Sequence, residues 1–386
     1  MTSICFYFQV HQPVRLNRFN MFGNGPYFDD AKNSGIIRKV ANKCYLPTNK
    51  TLLNLIDKHD GKFKVAFSLT GVFVEQCQKY APEVIDSFKQ LADTGNVEFL
   101  SETYYHSLSA LFSQNEFEDQ IELHKNMIND MFGQKPEVFR NTEAMYSNQI
   151  AKTVENMGYK GIITEGHEKF LSWRSPNYLY NPAGCDKIVS LLRNYKLSDD
   201  VGFRFSAKWW KEYPLTADKY ASWLSRCEGD CVNLFIDYET FGEHQWQDTG
   251  IFDFLRHLPI EVLKHNHLEF KTPSEVVKSY KPVGTIDVPY ILSWADVDRD
   301  SSAWLENDMQ RFAFDQMAKL EEKVKQNPEL LKIWRMLQTS DHFYYMCTKW
   351  FADGDVHKYF NAYDSPYDAF LNYMNVLQDL KTKLGV

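Results

Sequence analysis

Three acids fall within the string Asp237-Tyr238-Glu239-Thr240-Phe241-Gly242-Glu243-His244, directly after the apolar run 232–236. Other polar strings follow apolar runs in the same way. His11-Gln12-Pro13 comes after 4–10, Glu102-Thr103-Tyr104-Tyr105-His106 after 97–100, and Arg140-Asn141-Thr142-Glu143 closes 138–141. Glu98 lies inside its run. Delivering a carboxylate on an apolar strand is costly unless the group has a partner or a chemical role. Two carboxyl groups flanking a glycosidic bond have such a role, since one attacks, or activates water, while the other gives a proton to the leaving oxygen. Taken singly, each acid reads better as an ion pair or a helix cap than as a catalytic group. Arg140 could be the partner of Glu143, and Glu243 could cap the next helix. Four acid-bearing strand ends in one chain favour a catalytic cluster.

The elements that must position these residues are legible as alternation. Short apolar runs at 4–10, 64–69, 97–100, 138–141, 161–164, 188–192 and 232–236 read as strands, several of them apolar on both faces as in buried parallel sheets. Amphipathic stretches lie between them. Ser113-Gln114-Asn115-Glu116 has the form of a capping box, opening a helix that should stop near Gly133, ahead of Pro136. Ile150, Val154 and Met157 line a second helix, which ends at Gly158. Repeated βα units imply a parallel sheet, open or closed into a barrel, with its site at the carboxyl ends of the strands. Beyond Asp300 the pattern turns helical, with long helices expected over 303–325, 328–346 and 366–384.

Composition narrows the class. A 386-residue chain has room for a barrel and an appendage. Its 28 Phe, 22 Tyr and 9 Trp exceed what a core of this size needs, which suits stacking on sugar rings as well as core filling. A net charge of −8 without a long basic run argues against nucleic acid as a partner. No apolar stretch reaches membrane-spanning length, and the N-terminus reads as a strand without a basic leader. Seven scattered cysteines do not form a disulfide framework, and Cys227 and Cys231 have no second pair to make a zinc site. A cytoplasmic protein with reduced thiols is expected, without a metal or other cofactor.

The string 237–246 resembles the fourth conserved region of glycoside hydrolase family 57, in the form its α-amylases carry. His11-Gln12-Pro13 resembles the first region, 95–98 with the tail 102–106 the second, Phe139–Glu143 the third, and 294–304 continuing to Asn307 the fifth. Tyr45-Leu46-Pro47-Thr48-Asn49 and 340–346 are also similar to α-amylase members. The resemblance implies an irregular seven-stranded parallel (β/α) barrel (residues 1–300), followed by a C-terminal α-helical bundle packed on it (301–386). It implies Glu143 as nucleophile and Asp237 as acid/base of a retaining enzyme acting on α-1,4-glucans, by hydrolysis or by transfer. Substrate-binding positions fall on His11, Glu98, Trp246, Trp294 and Asp296. Transferase members have a further His two residues before His-Gln-Pro, where this chain has Gln9.

Several residues have plainer readings beside these. His11 could be a core histidine, Glu98 could pair with His11 or His106, and Trp209, Trp210 and Trp223 read as core. His342 could fasten the bundle to the barrel or touch glucan. Two other functions compete: a metal-dependent carbohydrate deacetylase using His11, His106, His244 and nearby Asp residues, and a glucan-binding protein with little activity. The oligomeric state is not legible.

Overall fold

The computed structural model describes residues 1–20, 25–349 and 361–386. Seven strands form one curled parallel sheet: β1 (Thr2–Val10), β2 (Val65–Leu69), β3 (Val97–Phe99), β4 (Val138–Arg140), β5 (Gly161–Glu165), β6 (Val189–Arg193) and β7 (Cys231–Asp237). They run in the order β3-β2-β1-β7-β6-β5-β4. The outermost strands meet just beyond β3, where Ser101 donates its N–H to the Val138 carbonyl (3.0 Å) and accepts from the Arg140 N–H (2.8 Å). The barrel is irregular for two visible reasons. Between β6 and β7 only Arg193 and Asn233 are in register. An eighth strand, β8 (Leu268–Phe270), pairs with the lower half of β1, on which β2 pairs with the upper half.

Period-two alternation divides β1 between two environments. Ile4, Phe6, Phe8 and Val10 join the large apolar cluster under the helices, whereas Cys5 and Tyr7 face inward among Ala66, Leu100, Val138 and Leu191. Gln9, next on the inward side, is in register with Asp237 at the carboxyl end of β7. The barrel interior is thus apolar below and polar at its mouth. All seven expected strands are present with ends within two residues of expectation. The three-residue β8 and the two-residue ladder of Asn181–Pro182 with Thr285–Ile286 carry too short a pattern to be read.

The helix Gln114–Phe132 begins and ends where expected: Ser113 caps it by accepting from the Glu116 N–H, and Gly133 closes it at φ 66°. Its capping box is only half formed, because the Glu116 side chain turns to Arg335 instead. Two of the three long C-terminal helices are broken. The stretch 303–325 divides at Asn307, which caps the helix Asp308–Ala318 through a reciprocal box with Gln310, and again at Lys319–Leu320, before the short helix Glu321–Val324. The stretch 328–346 divides into Pro328–Leu337 and Ser340–Tyr344, because the chain extends at Thr339 (ψ 130°). Only Pro366–Leu384 runs uninterrupted as expected. Among the described residues no helix is long and apolar enough to cross a membrane.

The break at Thr339 joins the C-terminal helices to the barrel. Leu108 N–H donates to the Gln338 carbonyl, Thr339 Oγ1 to the Tyr105 carbonyl, and Ser340 N–H to the His106 carbonyl. Beside this seam Arg335 makes two hydrogen bonds to the fully buried Glu116, at 2.8 and 3.1 Å, while Gln120 bridges Glu116 and Gln338. Leu16, Phe19, Leu108 and Met145 of the barrel loops share one apolar cluster with Trp304, Trp334 and Tyr373.

Removing one partner of a buried pair leaves an uncompensated charge. Lys325, 3.3 Å from Glu116, would offset part of it. We therefore expect Arg335→Ala to cost about 3 kcal/mol in urea unfolding. A loss below about 0.5 kcal/mol would mean that the apolar cluster alone holds the joint.

Candidate active site

A cavity of about 700 Å³ opens at the carboxyl ends of the strands. His11, Glu143, Asp237, Trp294 and Asp296 line it, as do Glu239 and Asp341. Of the seven residues singled out from sequence, five therefore meet in one place.

Glu143 follows β4 in a short turn where it and Ala144 both adopt positive φ (56° and 50°). Such values are uncommon outside glycine and persist where the surroundings enforce them. Here the enforcing contacts come from three distant segments. Ser340 Oγ donates to Oε1 (2.9 Å), His106 Nε2 lies 3.3 Å from the same oxygen, and Trp294 Nε1 donates to Oε2 (3.0 Å). Burial alone would raise the Glu143 pKa, but the hydrogen bond and charge of His106, with Arg140, hold it at about 2. Arg140, the partner suggested by proximity in sequence, makes no side-chain hydrogen bond to Glu143; its guanidinium lies 4.7 Å from the centre of the Trp294 ring.

Asp237 is treated differently. No described residue gives its carboxyl group a side-chain hydrogen bond. Burial first, and then the negative charge of Glu143, push its pKa up to about 6, against the pull of Arg140, Arg193 and His106. Two residues on, Glu239 accepts from the Tyr45 hydroxyl (2.6 Å), and burial with the charge of Asp237 raises it to about 8. Tyr238, between them, points away and donates to Asn49. The 45–49 string thus supports this loop, Tyr45 holding Glu239 and Asn49 holding Tyr238. Glu243 is ion-paired with Lys39 (2.5 Å) and Lys43 (3.3 Å) rather than capping a helix.

Beneath the cavity lies a polar network built on Glu102, a residue that sequence reasoning passed over for Glu98. Gln9 Nε2 (3.1 Å) and Ser68 Oγ donate to Glu102 Oε1, and His106 Nδ1 lies 3.1 Å from Oε2. Gln9 is therefore bound into the support of His106. Burial opposes ionisation of Glu102, yet His106, His124 and Arg140 bring its pKa to about 2. His11 stacks on His106 with ring centres 4.0 Å apart, and bonds Thr70 Oγ1 through Nδ1 (2.9 Å) and Asp341 Oδ2 through Nε2 (3.0 Å).

Two expected binding residues lie elsewhere. Glu98 faces inward but deep in β3, in register with Ala66, and accepts from the Ser274 N–H (2.9 Å). It is one layer too low: only the chain beyond Phe99 reaches the mouth, so Glu102 takes its place. Trp246 is outside the cavity wall, 54% exposed, with the Lys43 ammonium 4.9 Å from its ring centre. Trp209 is exposed rather than core, whereas Trp210 and Trp223 pack against the main cluster. His342 is buried in the bundle against Tyr373, and burial lowers its pKa to about 4. Asp341, its neighbour in sequence, is the residue that reaches the cavity; 330 residues separate it from His11, and nothing local in the sequence brings them together.

The wall on the β5–β6 side of Glu143 is held by crossed ion pairs. Arg193 contacts Glu165 (3.1 Å) and Asp199 (2.6 Å), and Arg299 reaches Glu165 at 3.2 Å while donating to the Trp294 carbonyl. Arg299 and Asp296 both have positive φ, bending the segment that carries Trp294 over the cavity. The loop after Asp237 has its own fixed point at Gly242 (φ 109°), where an added Cβ would lie 2.0 Å from the Lys43 carbonyl oxygen. We expect Gly242→Ala to destabilise the fold by about 2–3 kcal/mol, read by denaturant unfolding. A variant as stable as its parent would show that the loop relaxes freely.

Residues 5–289 match the family model of glycosyl hydrolase family 57. Over 395 aligned positions the chain is 51% identical to a Methanocaldococcus jannaschii protein provisionally named alpha-amylase, covering 98% of this chain and 84% of that one. Among solved structures, a family 57 branching enzyme from Thermococcus kodakaraensis superposes with a TM-score of 0.72 at 14% identity, over 99% of this chain and 90% of that one. A 4-alpha-glucanotransferase from Thermococcus litoralis gives 0.70 at 16% identity over 89% of this chain, which spans only 56% of that protein's length. These two likenesses support the barrel and helical architecture, and the sequence match fixes its lineage: the chain belongs to glycosyl hydrolase family 57.

Proposed function

We propose that this protein cleaves α-1,4-glucosidic bonds with retention, Glu143 acting as nucleophile and Asp237 as acid/base. The observation that carries the reading is the opposite treatment of two carboxyl groups on one cavity. Glu143 accepts from Ser340 and Trp294 and has the His106 ring 3.3 Å away, which together hold its pKa low, whereas Asp237 has no side-chain donor among the described residues and a raised pKa. Unequal environments of this kind separate a nucleophile from a proton donor.

In the first step Glu143 attacks the anomeric carbon while Asp237 passes its proton to the departing glycosidic oxygen. This leaves a glycosyl ester on Glu143 and an ionised Asp237. The negative charge of Glu143 is thereby removed, and with it one of the influences that raise the Asp237 pKa. Asp237 is then able to act as the base of the second step, in which it takes a proton from an incoming hydroxyl as that oxygen displaces Glu143. Water as acceptor gives hydrolysis; a sugar hydroxyl gives transfer. Glu239, protonated near neutrality and bound by Tyr45, can donate to a sugar oxygen, while His11, Trp294 and Asp296 are placed to contact the rings.

The glucan substrate is supported by relatives named alpha-amylase and 4-alpha-glucanotransferase. The deacetylase alternative would draw its metal ligands from His11, His106, His244 and nearby Asp residues; His11 and His106 are committed to Thr70, Asp341, Glu102 and Glu143, and among the described residues no three His, Cys, Asp or Glu are grouped to hold a metal ion. The proposal includes a reducing, cytoplasmic setting, supported by seven cysteines that are all free thiols.

Glu143→Gln should lose turnover by about four orders of magnitude or more while retaining its fold. Near-normal release of reducing ends from maltooligosaccharides would remove Glu143 from the role. Asp237 must be protonated for the first step, so kcat/KM should fall as pH rises through about 6. Asp237→Asn should lack that limb and lose on the order of 10²–10⁴-fold on glucan, with a smaller loss on an aryl glycoside whose leaving group needs no proton. Azide should speed this variant and give a β-glycosyl azide. Early product of inverted configuration by proton NMR would refute double displacement outright.

A further inference from the structure

His106 has no part in the two-carboxylate chemistry, yet it is among the most constrained side chains at the site. It is buried, it follows β3 in a left-handed conformation (φ 49°), and its carbonyl accepts from the Ser340 N–H at the barrel–bundle seam. Nδ1 lies 3.1 Å from Glu102 and Nε2 lies 3.3 Å from Glu143. A neutral imidazole has one donor and one acceptor, so it can satisfy only one of two flanking carboxylates; the imidazolium donates to both. We infer that His106, clamped between Glu102 and Glu143, is a positioning residue that donates from both ring nitrogens and so fixes the orientation and ionisation of the proposed nucleophile. The inference rests on Glu143 being that nucleophile.

Of the three histidines that meet here, the surrounding groups favour the cation on His106. Glu102 is itself anchored by Gln9 and Ser68. His124 donates from Nε2 to the Leu69 carbonyl and accepts the Glu102 N–H at Nδ1, a pattern that fixes it as neutral. His11, stacked on His106, donates to Asp341 from Nε2 and is left to accept from the Thr70 hydroxyl at Nδ1; burial and the charge of His106 lower its pKa. Two stacked rings 4.0 Å apart are thus one charged and one neutral. Arg140, a cation, and Asp237, which titrates between the acid and base roles, complete the ionisable groups around the pair. Burial disfavours the imidazolium, but Glu102 and Glu143 outweigh it and raise the His106 pKa to about 9. A turning imidazole would let Glu143 leave its line of attack; a charged one bonded at both ends cannot turn without breaking a contact to a carboxylate.

Two measurements test this. In the wild-type protein, ¹⁵N-edited NMR of the histidine rings should find both His106 nitrogens protonated at about pH 7.5, where an ordinary histidine is neutral. Its titration midpoint should fall in Glu102→Gln and again in Glu143→Gln. Kinetically, His106→Asn keeps a residue that tolerates the left-handed backbone and an amide able to reach Glu102, but loses the bond and charge on Glu143. Removing the cation raises the Glu143 pKa, so the acidic limb of kcat/KM, below the measurable range in wild type, should rise by at least about one pH unit and come into view. A merely structural role would lower activity at every pH without moving the limb. A neutral His106 in wild type, or a limb that stays in place in a folded His106→Asn protein, overturns the inference. If Glu143→Gln still hydrolyses glucan, the nucleophile assignment fails instead, while the titration still decides whether the histidine bridges two carboxylates.

Discussion

Seven carboxyl groups line or underlie one cavity: Glu102, Glu143, Asp199, Asp237, Glu239, Asp296 and Asp341. Partial burial makes so many negative charges costly together, and the structure sorts them by unequal hydrogen bonding and ion pairing, Asp199 with Arg193 among them. Glu102, Glu143 and Asp341 each lie against a histidine ring, and in each the pull toward ionisation overcomes burial. Asp237 and Glu239 are left with burial and like charge, and both hold protons more tightly than in water. The chemistry available to the site follows from this sorting, because a nucleophile and a proton donor are the same functional group in different surroundings.

Maintaining the sorting requires strained backbone and remote partners. Seven non-glycine residues among those described have positive φ; four of them, His106, Glu143, Asp296 and Arg299, line the cavity, and Ala144 adjoins it. Strain of this kind persists only where neighbouring structure over-determines it. The crossed ion pairs of Arg193 and Arg299, the Trp294 carbonyl and the seam at 338–340 supply that surplus of constraint. Strands bring the side chains to the mouth of the barrel, and contacts between distant loops fix the last ångström.

Apolar runs and their polar ends carry the seven strands, the barrel mouth and the pair Glu143 and Asp237, because each is encoded within a dozen consecutive residues. Depth is not encoded that way. Glu98 and Glu102 both sit near the end of β3, and only the register with β2 shows that the first lies low in the barrel and the second at its mouth. The breaks at Asn307 and Thr339 interrupt runs whose helical periodicity is otherwise intact, so they become visible only through the caps and the seam that cause them. Asp341 and Ser340 belong to a helix that, read alone, has no reason to serve the barrel. Trp246 and Trp209 show the opposite limit: an aromatic residue near a site or a core is not thereby part of it.

The seam at 338–341 also ties competence to the order in which the chain is made. A ribosome delivers His11, Glu143 and Asp237 long before Ser340 and Asp341, and until those later partners dock, Glu143 lacks one of its donors and His11 its carboxylate. A nascent barrel would expose a cavity crowded with acids and no settled assignment of protons among them. In this architecture the site is complete only once the helical segments that carry Ser340 and Asp341 are in place on the barrel.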